Sequence, residues 1–234
     1  HVPVPHNRAD MPLLDSAGLH AKELGAANTL LFGQNRNRAP IISGFNTDDK
    51  GFVGALRQAG FEPEDGGRVV VVGAGGAARG VVFGLLWSGS EEIMVLNRSL
   101  ARAETLVSDL GRRSKDSSRL SALSLTVETL VESARTATLL VNATTVGMWP
   151  HVDKSIWPEK VPVPTHLTVF DLVYNPLETR LLQQTRRSGS HGVDGLGMLV
   201  RQGALALDMW TSMGLPVDEI AALMRTACER VLGR

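Results

Sequence analysis

A glycine-rich turn between two apolar runs constrains the fold of this chain more than any other feature of its sequence. The β-branched run 68–72 leads into this turn, an apolar helix-like segment follows, and a second apolar run at 93–96 comes next. A strand, a glycine turn, a helix and a strand within about 30 residues are typical of the mononucleotide-binding unit. The turn consists of Gly73, Ala74, Gly75, Gly76 and Ala77.

The composition of this turn suits a pyrophosphate. Glycines let the backbone turn tightly and approach a phosphate closely, and the following helix offers its free N–H groups and positive dipole end. The usual third glycine is Ala78 here, an accepted variant because this residue only has to allow close helix–strand packing. The alternative is a glycine-rich turn in an α/β protein that binds no nucleotide.

The end of the second apolar run indicates which dinucleotide would bind. NAD sites place an acidic residue there to hold the ribose hydroxyls, but this chain has Asn97-Arg98-Ser99, with Arg102 one turn later and no carboxylate before Glu104. A guanidinium pairs with a 2′-phosphate through two hydrogen bonds, whereas a carboxylate would repel it. We therefore predict NADP, the alternative being that Arg98 is simply a solvated surface charge.

Composition excludes several classes of protein. The 24 Lys and Arg residues balance the 24 Asp and Glu residues in a chain of 234, so no net field favours nucleic acid or a membrane surface. Cys228 is the only cysteine, and neither a disulfide nor metal-ligand spacing is expected. No apolar run reaches about 18 residues and no signal peptide is evident. We expect a cytoplasmic protein without a metal.

Alternating strand and helix patterns predict the architecture. They favour an α/β fold, a doubly wound parallel sheet of the Rossmann type joined to a partial α/β substrate domain. Strands are predicted at 26–31, 41–44, 68–72, 92–96, 121–125, 138–142, 167–173 and 191–193. Helices are predicted at 11–24, 49–59, 76–88, 99–111, 127–134, 178–188, 196–213 and 217–232.

Three polar clusters lie beside predicted strand ends, where ligands of open α/β sheets collect. They are Ala27-Asn28-Thr29, Asn46-Thr47-Asp48 and residues 195–202. The amides of Asn28 and Gln202 suit sugar-like hydroxyls, and Asp48 can accept a hydrogen bond from a hydroxyl and take its proton. The alternatives are that Asn-Thr-Asp only caps a helix and that Asn28 only satisfies a turn.

Taken together, these clusters resemble the shikimate dehydrogenase family over nearly the whole chain. The matching segments are PHNRADMPLLD, GAANT, GFNTDDKGF, VVGAGGAARG, NRSLAR, VNATTVGM, DLVYNPLET and DGLGMLVRQGALALDMW. The resemblance implies reduction of 3-dehydroshikimate to shikimate with NADPH, in the shikimate pathway of aromatic amino acid biosynthesis, or the parallel quinate reaction.

The resemblance also implies a role for individual residues. Implied substrate contacts are Asn28, Asp48, Tyr174 and Gln202, with Asp48 as one half of the catalytic pair. Implied cofactor contacts are Gly73, Ala74, Gly75, Gly76 and Ala77 at the pyrophosphate, Asn97, Arg98, Ser99 and Arg102 at the 2′-phosphate, Asn142, Ala143 and Thr144 along the cofactor, and Leu172 and Gly195 at the nicotinamide.

The sequence departs from the family at the other half of that catalytic pair. The family carries a lysine directly after Pro-His, in a pattern VTxPHK, whereas Asn7 follows His6 here and Pro3 stands at the threonine. A lysine ammonium can donate a proton and stabilise a developing alkoxide, while an amide can only donate a hydrogen bond. Neither Arg8, which does not deprotonate, nor Lys50, which points away from Asp48, is an evident substitute.

We expect three segments with different tasks. Residues 1–48 would be the remainder of a substrate domain whose earlier part is missing, 49–195 the NADP-binding domain, and 196–234 two helices that return to the substrate domain. The partial sheet would expose an apolar edge, so a homodimer or another covering partner is expected. Two other functions stay open: a non-catalytic regulatory relative that binds dinucleotide or a shikimate-like ligand, and a different NADP oxidoreductase on the same scaffold.

Overall fold

The computed structural model describes residues 11–63, 67–113 and 117–232. In chain order the strands are β1 (Ser16–Ala17), β2 (Thr29–Gln34), β3 (Pro40–Phe45), β4 (Arg68–Val72), β5 (Glu92–Asn97), β6 (Leu120–Ser124), β7 (Ala137–Asn142), β8 (Thr168–Asp171) and β9 (His191–Val193). The helices are α1 (Leu19–Leu24), α2 (Asp48–Gln58), α3 (Gly76–Trp87), α4 (Leu100–Gly111), α5 (Val127–Thr136), α6 (Arg180–Arg187), α7 (Leu196–Thr211) and α8 (Val217–Leu232).

The larger sheet has six strands in the order β6-β5-β4-β7-β8-β9, and all of its neighbouring pairs are parallel. The chain runs outward from β4 to β6, then crosses back to β7 on the other side of β4. The order reverses between β4 and β7, and the carboxyl ends of these strands are where such sheets bind ligands. The predicted doubly wound α/β fold is confirmed.

Both faces of this sheet are buried, which explains its continuous apolar runs. Val69 and Val71 of β4 face a core that includes residues of α3 and α4, whereas Val70 and Val72 face a second core that includes residues of α5 and α6. The four valines are at most 2% exposed. A period-two alternation therefore sends successive side chains into two different hydrophobic layers.

The smaller sheet has three strands in the order β1-β3-β2, with β1 parallel and β2 antiparallel to β3. The predicted helix over 11–24 is wrong for its first half. Pro12 lies in a short 3-10 turn, and the backbone then pairs with β3 through the hydrogen bond from Asp15 N to Ile42 O. Only α1 remains helical, and it ends at Gly25, whose positive φ of 64° favours glycine.

The C-terminal helices join the two sheets. α7 packs along α2 and α8 packs against α7. The indole nitrogen of Trp210 in α7 donates to the carbonyl of Leu30 in β2 at 3.1 Å. This arrangement places α7 beside the polar residues that precede α2. The division of the chain into three segments with different tasks remains a prediction.

Within the described residues, no helix combines the length and the apolar character needed to cross a membrane.

Candidate active site

The glycine turn after β4 has the geometry of a phosphate-binding loop. Gly73 has a φ of 118°, and a Cβ added to it would lie 2.8 Å from the carbonyl oxygen of Ala143. Gly75 has open space where its Cβ would stand, and it caps α3 without a side-chain hydrogen bond. The first N–H groups of α3 therefore face an open surface and suit a pyrophosphate.

A cleft of about 290 Å³ opens beside this turn. It is lined by Ala74, Gly75, Gly76, Arg79, Arg102, Thr105 and Leu106. Two of these lining residues are arginines and none is acidic. Arg98 is also exposed, at the start of the connection from β5 to α4, and Asn97 Nδ2 donates to the Ser99 carbonyl at 2.9 Å, which orders that connection. The residues present fit a phosphorylated dinucleotide.

A wider groove of about 460 Å³ lies beside α6 and β9. None of the predicted site residues lines it, so we assign the ligand site from the chemistry of the cleft residues rather than from cavity size.

The predicted cofactor residues after β7 shape a loop. The Asn142 amide donates to Asp171 Oδ1 at 2.8 Å and to the Val146 carbonyl at 3.2 Å. Its oxygen accepts from the backbone N–H of Thr144 at 3.1 Å and from the Thr144 hydroxyl at 2.6 Å. Asn142 uses its amide to bind residues of the loop, so it holds the loop in place. Ala143 of the same loop approaches Gly73 of the glycine turn.

Leu172 and Gly195 lie together where β8 and β9 end. A Cβ added to Gly195 would overlap the Leu172 carbonyl oxygen, so no other residue fits there without moving the backbone. This close approach sets the start of α7 against the end of β8. Contact of both residues with a nicotinamide remains a prediction.

Asp171 at the end of β8 organises this region, although it is not among the residues predicted from the sequence. Its side chain is fully buried and accepts hydrogen bonds from Asn142 Nδ2, from Val173 N at 3.1 Å and from the Thr179 hydroxyl at 2.6 Å. It thus joins the loop after β7, the segment after β8 and the start of α6. An acidic residue at the end of the apolar run Thr-Val-Phe was the available signal, because buried carboxylates require partners.

Burial raises the pKa of the Asp171 carboxyl to about 6, against the opposing effect of its three hydrogen bonds. Below pH 3.8 the group is protonated in both the folded and the unfolded chain. Between pH 3.8 and about 6 the unfolded chain ionises first, so the folded state loses stability as the pH rises through this window. The shift corresponds to roughly 3 kcal/mol.

We expect Asp171→Asn to remove this pH dependence, because an amide of the same shape does not ionise. The stability of the variant relative to the original chain should rise by roughly 2–3 kcal/mol between pH 4 and pH 7. Urea unfolding of both proteins at the two pH values measures this, with Glu104→Gln on the exposed face of α4 as a control. A stability difference that is the same at both pH values would contradict the assignment.

The second part of the site lies at the start of α2. Asn28 Nδ2 donates to Asp48 Oδ1 at 2.8 Å, and Asn28 Oδ1 accepts from the Thr47 backbone N–H at 3.1 Å and from the Thr29 hydroxyl at 2.9 Å. The Asp48 N–H donates to Asn46 Oδ1 at 3.0 Å. Asn28 therefore does more than satisfy a turn, because its amide nitrogen orients the carboxyl group of Asp48.

Gln202 of α7 joins this group through Thr47. The Thr47 hydroxyl lies 3.3 Å from Asn28 Oδ1 and 3.4 Å from Gln202 Oε1. Gly51 permits the close approach of α2 and α7, since a Cβ there would lie 3.0 Å from Gln202 Cβ. The structure thus brings Asn28, Asp48 and Gln202 together.

Asp48 also contacts the nucleotide-binding helix. A Cβ added to Gly80 of α3 would lie 3.1 Å from Asp48 Cβ. Although the side chain keeps part of its surface open, burial raises the pKa of Asp48, the Asn28 hydrogen bond opposes this, and the neighbouring Asp49 carboxylate adds to it. A carboxyl with a raised pKa can hold and release a proton nearer to neutral pH.

One predicted substrate contact, Tyr174, is not part of this cluster. Tyr174 lies beyond the end of β8 and is 40% exposed, and the hydrogen bonds around Asn28 do not include it. Asn7 and Pro3 lie outside the described residues. Their roles remain predictions. Among the residues that the structure describes, no group of His, Cys, Asp and Glu side chains is arranged to hold a metal.

Comparison with protein families and curated sequences identifies relatives of the chain. A family described as shikimate / quinate 5-dehydrogenase matches residues 55–155, and one described as shikimate 5′-dehydrogenase C-terminal domain matches residues 195–225. The shikimate dehydrogenase (NADP(+)) of Methanopyrus kandleri is 41% identical over 218 residues, which cover 93% of this chain and 73% of that protein.

Solved structures show the same relationship. The shikimate 5-dehydrogenase of Listeria monocytogenes, in complex with shikimate and NAD, has a TM-score of 0.84 at 30% identity and covers 95% of this chain and 76% of its own. That of Thermus thermophilus, in complex with NADP(H) and shikimate, has a TM-score of 0.78 at 37% identity and covers 96% of this chain and 77% of its own. With its glycine turn and its Asn28–Asp48 cluster, the chain belongs to the shikimate dehydrogenase family.

Proposed function

We propose that this chain is an NADP-dependent oxidoreductase that interconverts 3-dehydroshikimate and shikimate, a step of aromatic amino acid biosynthesis. The observation that carries this proposal is the Asn28–Asp48 pair at 2.8 Å, which lies beside α3 and is joined to Gln202 through Thr47. An amide, a carboxyl and a second amide at one place provide donors and acceptors for adjacent hydroxyl groups. The named activities of the relatives support the same conclusion.

In this proposal the residues of the chain bind and orient the substrate and move a proton. Asn28 and Gln202 hold hydroxyl groups through their amides. Asp48 accepts a hydrogen bond from the reacting hydroxyl and takes its proton during oxidation, and it returns the proton to the oxygen during reduction. Tyr174 contributes a further contact to the substrate.

The cofactor residues contribute binding and placement. When bound, NADP supplies the hydride acceptor and NADPH the hydride donor. The N–H groups at the start of α3 hold the pyrophosphate, while Arg98 and Arg102 pair with the 2′-phosphate and Asn97 and Ser99 order their loop. Gly195 and Leu172 fix the distance between the ends of β8 and β9 beside the nicotinamide.

The proposal is tested by incubating the chain with NADPH and 3-dehydroshikimate, and separately with 3-dehydroquinate, and identifying the product by mass spectrometry. We expect shikimate from the first mixture. Formation of quinate alone would make the chain a quinate dehydrogenase, while comparable formation of both would indicate a broader specificity. Reduction of neither compound, together with binding of neither, would contradict the proposal.

The cofactor preference should depend on Arg98. We expect NADPH to bind much more tightly than NADH, and Arg98→Ala to remove most of this preference, because charge-assisted hydrogen bonds to a phosphate are the stronger kind. Calorimetry with both cofactors measures this, and Arg119→Ala, outside the cleft, is the control. Equal affinity of the unmodified chain for the two cofactors would contradict the assignment.

A second candidate function follows from Asn7. With an amide at the lysine position, the chain would be a non-catalytic relative that binds a dinucleotide or a shikimate-like ligand and acts as a regulator. Binding of shikimate and NADP⁺ without any turnover, and without a gain on Asn7→Lys, would favour this function over the first.

We also propose a cytoplasmic location and a covering partner for the small sheet. Phe32 on β2 is 76% exposed, and Met213, after the end of α7, is 71% exposed. A second copy of the chain or another protein would cover these side chains. Sedimentation that shows a monomer with these residues accessible to labelling would contradict the homodimer.

A further inference from the structure

A second acidic residue stands next to the proposed catalytic residue in the sequence, and it is buried. Asp49 follows Asp48 in the first turn of α2, and its side chain is only 3% exposed. Its Oδ2 pairs with Nδ1 of His20, while its Oδ1 has no hydrogen-bond partner among the described residues. A buried carboxylate with one unpaired oxygen depends strongly on the cation beside it.

His20 is held firmly in this position. Its ring packs edge-on against Phe83, with 5.5 Å between centroids, and lies tilted against Trp87, with 5.4 Å between centroids. Both of these residues belong to α3. The helix α1 that carries it is fixed to the nucleotide-binding part of the chain. Arg79 Nε donates to the Leu24 carbonyl at 2.6 Å, and Arg113 donates to the Lys22 carbonyl at 2.5 Å.

Within residues 11–63, 67–113 and 117–232, few other charged side chains lie on the elements around this pair. On α2, Lys50 is exposed. On α3, Arg79 is engaged with Leu24 and with Asp109. On α7, Arg201 approaches Gly54 and pairs with Asp218. On α1, Lys22 is exposed. Among the described residues, His20 is the basic side chain in direct contact with Asp49.

We infer that His20 is a positioning residue for the proposed reaction: by pairing with Asp49, it balances the negative charge directly behind Asp48. The inference deepens the proposed function and relies on it for the role of Asp48. The Asp49 carboxylate disfavours an ionised Asp48, and a protonated His20 offsets that effect. The protonation of His20 on α1 thereby affects the pKa of Asp48, the proposed carrier of the substrate proton.

The test is a carboxyl titration by ¹³C NMR of the whole chain labelled at aspartate. The Asp48 signal is assigned by its loss in Asp48→Asn. We expect Asp49→Asn to lower the pKa of Asp48 and His20→Gln to raise it, each by about half a unit to one unit, a roughly three- to tenfold change in proton affinity. Glu62→Gln, which removes the Arg57 pair at the other end of α2, should leave it unchanged.

Shifts of opposite sign distinguish this role from a structural one, because a packing defect would not move the Asp48 titration in opposite directions in the two variants. Shifts of the same sign, or no shift in either variant, would overturn the inference. If His20→Gln does not fold, His20→Asn takes its place: a raised pKa of Asp48 supports the inference and an unchanged one overturns it.

The titration does not require turnover, so the two proposals fail separately. If the chain does not bind shikimate, the proposed function is contradicted, but the shifts in the pKa of Asp48 can still be measured. If the chain is active and the pKa of Asp48 is unchanged in both variants, only the inference about His20 is contradicted. In an active chain, the acidic limb of the kcat/KM profile should move with the Asp48 titration in each variant.

Discussion

Replacement of Asp48 by asparagine is expected to lower kcat for shikimate oxidation with NADP⁺ by about 10²–10⁴-fold, the usual size of general acid–base assistance. Asparagine keeps the shape of the side chain, and its oxygen can still accept from Asn28. What the variant loses is the ability to take and return a proton. Steady-state kinetics with shikimate and NADP⁺ measure the loss.

Folding should survive this change, because burial is the largest cause of the raised pKa of Asp48 and an amide carries no charge to desolvate. Asp153→Asn is the matched control, since that side chain is 69% exposed and pairs with Lys154 on the surface. Turnover that is unaffected by Asp48→Asn would show that another group moves the proton.

Replacement of Asn7 by lysine is expected to raise kcat by up to about 10²–10⁴-fold, with a smaller change in KM. An ammonium can donate a proton and stabilises negative charge on the substrate oxygen, mainly in the transition state. Asparagine retains only hydrogen bonding, so turnover of the unmodified chain should be very slow. Kinetics of the two proteins under identical conditions measure the gain.

Asn7→Gln is the control for this change, because it lengthens the side chain without adding a charge. A similar increase of kcat in Asn7→Gln would mean that the length of the side chain, and not the ammonium charge, causes the increase. No gain from lysine would mean that residue 7 does not reach the substrate, and it would favour a ligand-binding role for the chain.

The sequence alone was sufficient for the nucleotide-binding part of the fold. Its first strand, β4, is a continuous β-branched run because both faces of the sheet are buried there. Gly73 and Gly75 mark the turn because one approaches a neighbouring loop and the other faces open space. Such patterns are local, so they are visible without knowledge of the tertiary structure.

The segment before β2 was harder to predict because its structure depends on contacts with residues that are distant in the sequence. Residues 11–17 look helical, but their backbone is fixed by β3, which lies more than 20 residues later in the chain. The pairing of Asp49 with His20 is equally non-local, since 29 residues separate them. Asp171 was not predicted because its partner Asn142 lies 29 residues away in the chain and comes close only in the folded protein.

The cluster proposed to bind the substrate was partly predictable. Asn28, Asp48 and Gln202 were selected from polar clusters at strand ends, and the structure brings them together. The role of Thr47 as the link between Asn28 and Gln202 was not predicted, because it requires the approach of α2 and α7 at Gly51.

The most direct test of the proposed substrate site is calorimetric titration of shikimate into the chain saturated with NADP⁺. We predict that shikimate binds and that Asn28→Ala weakens binding by about 10- to 100-fold, because it removes one hydrogen-bonding group and leaves Asp48 without its donor. Asn37→Ala, on the exposed turn between β2 and β3, should bind as tightly as the unmodified chain. No binding of shikimate to the NADP⁺-saturated chain, or binding that Asn28→Ala leaves unchanged, would contradict the account.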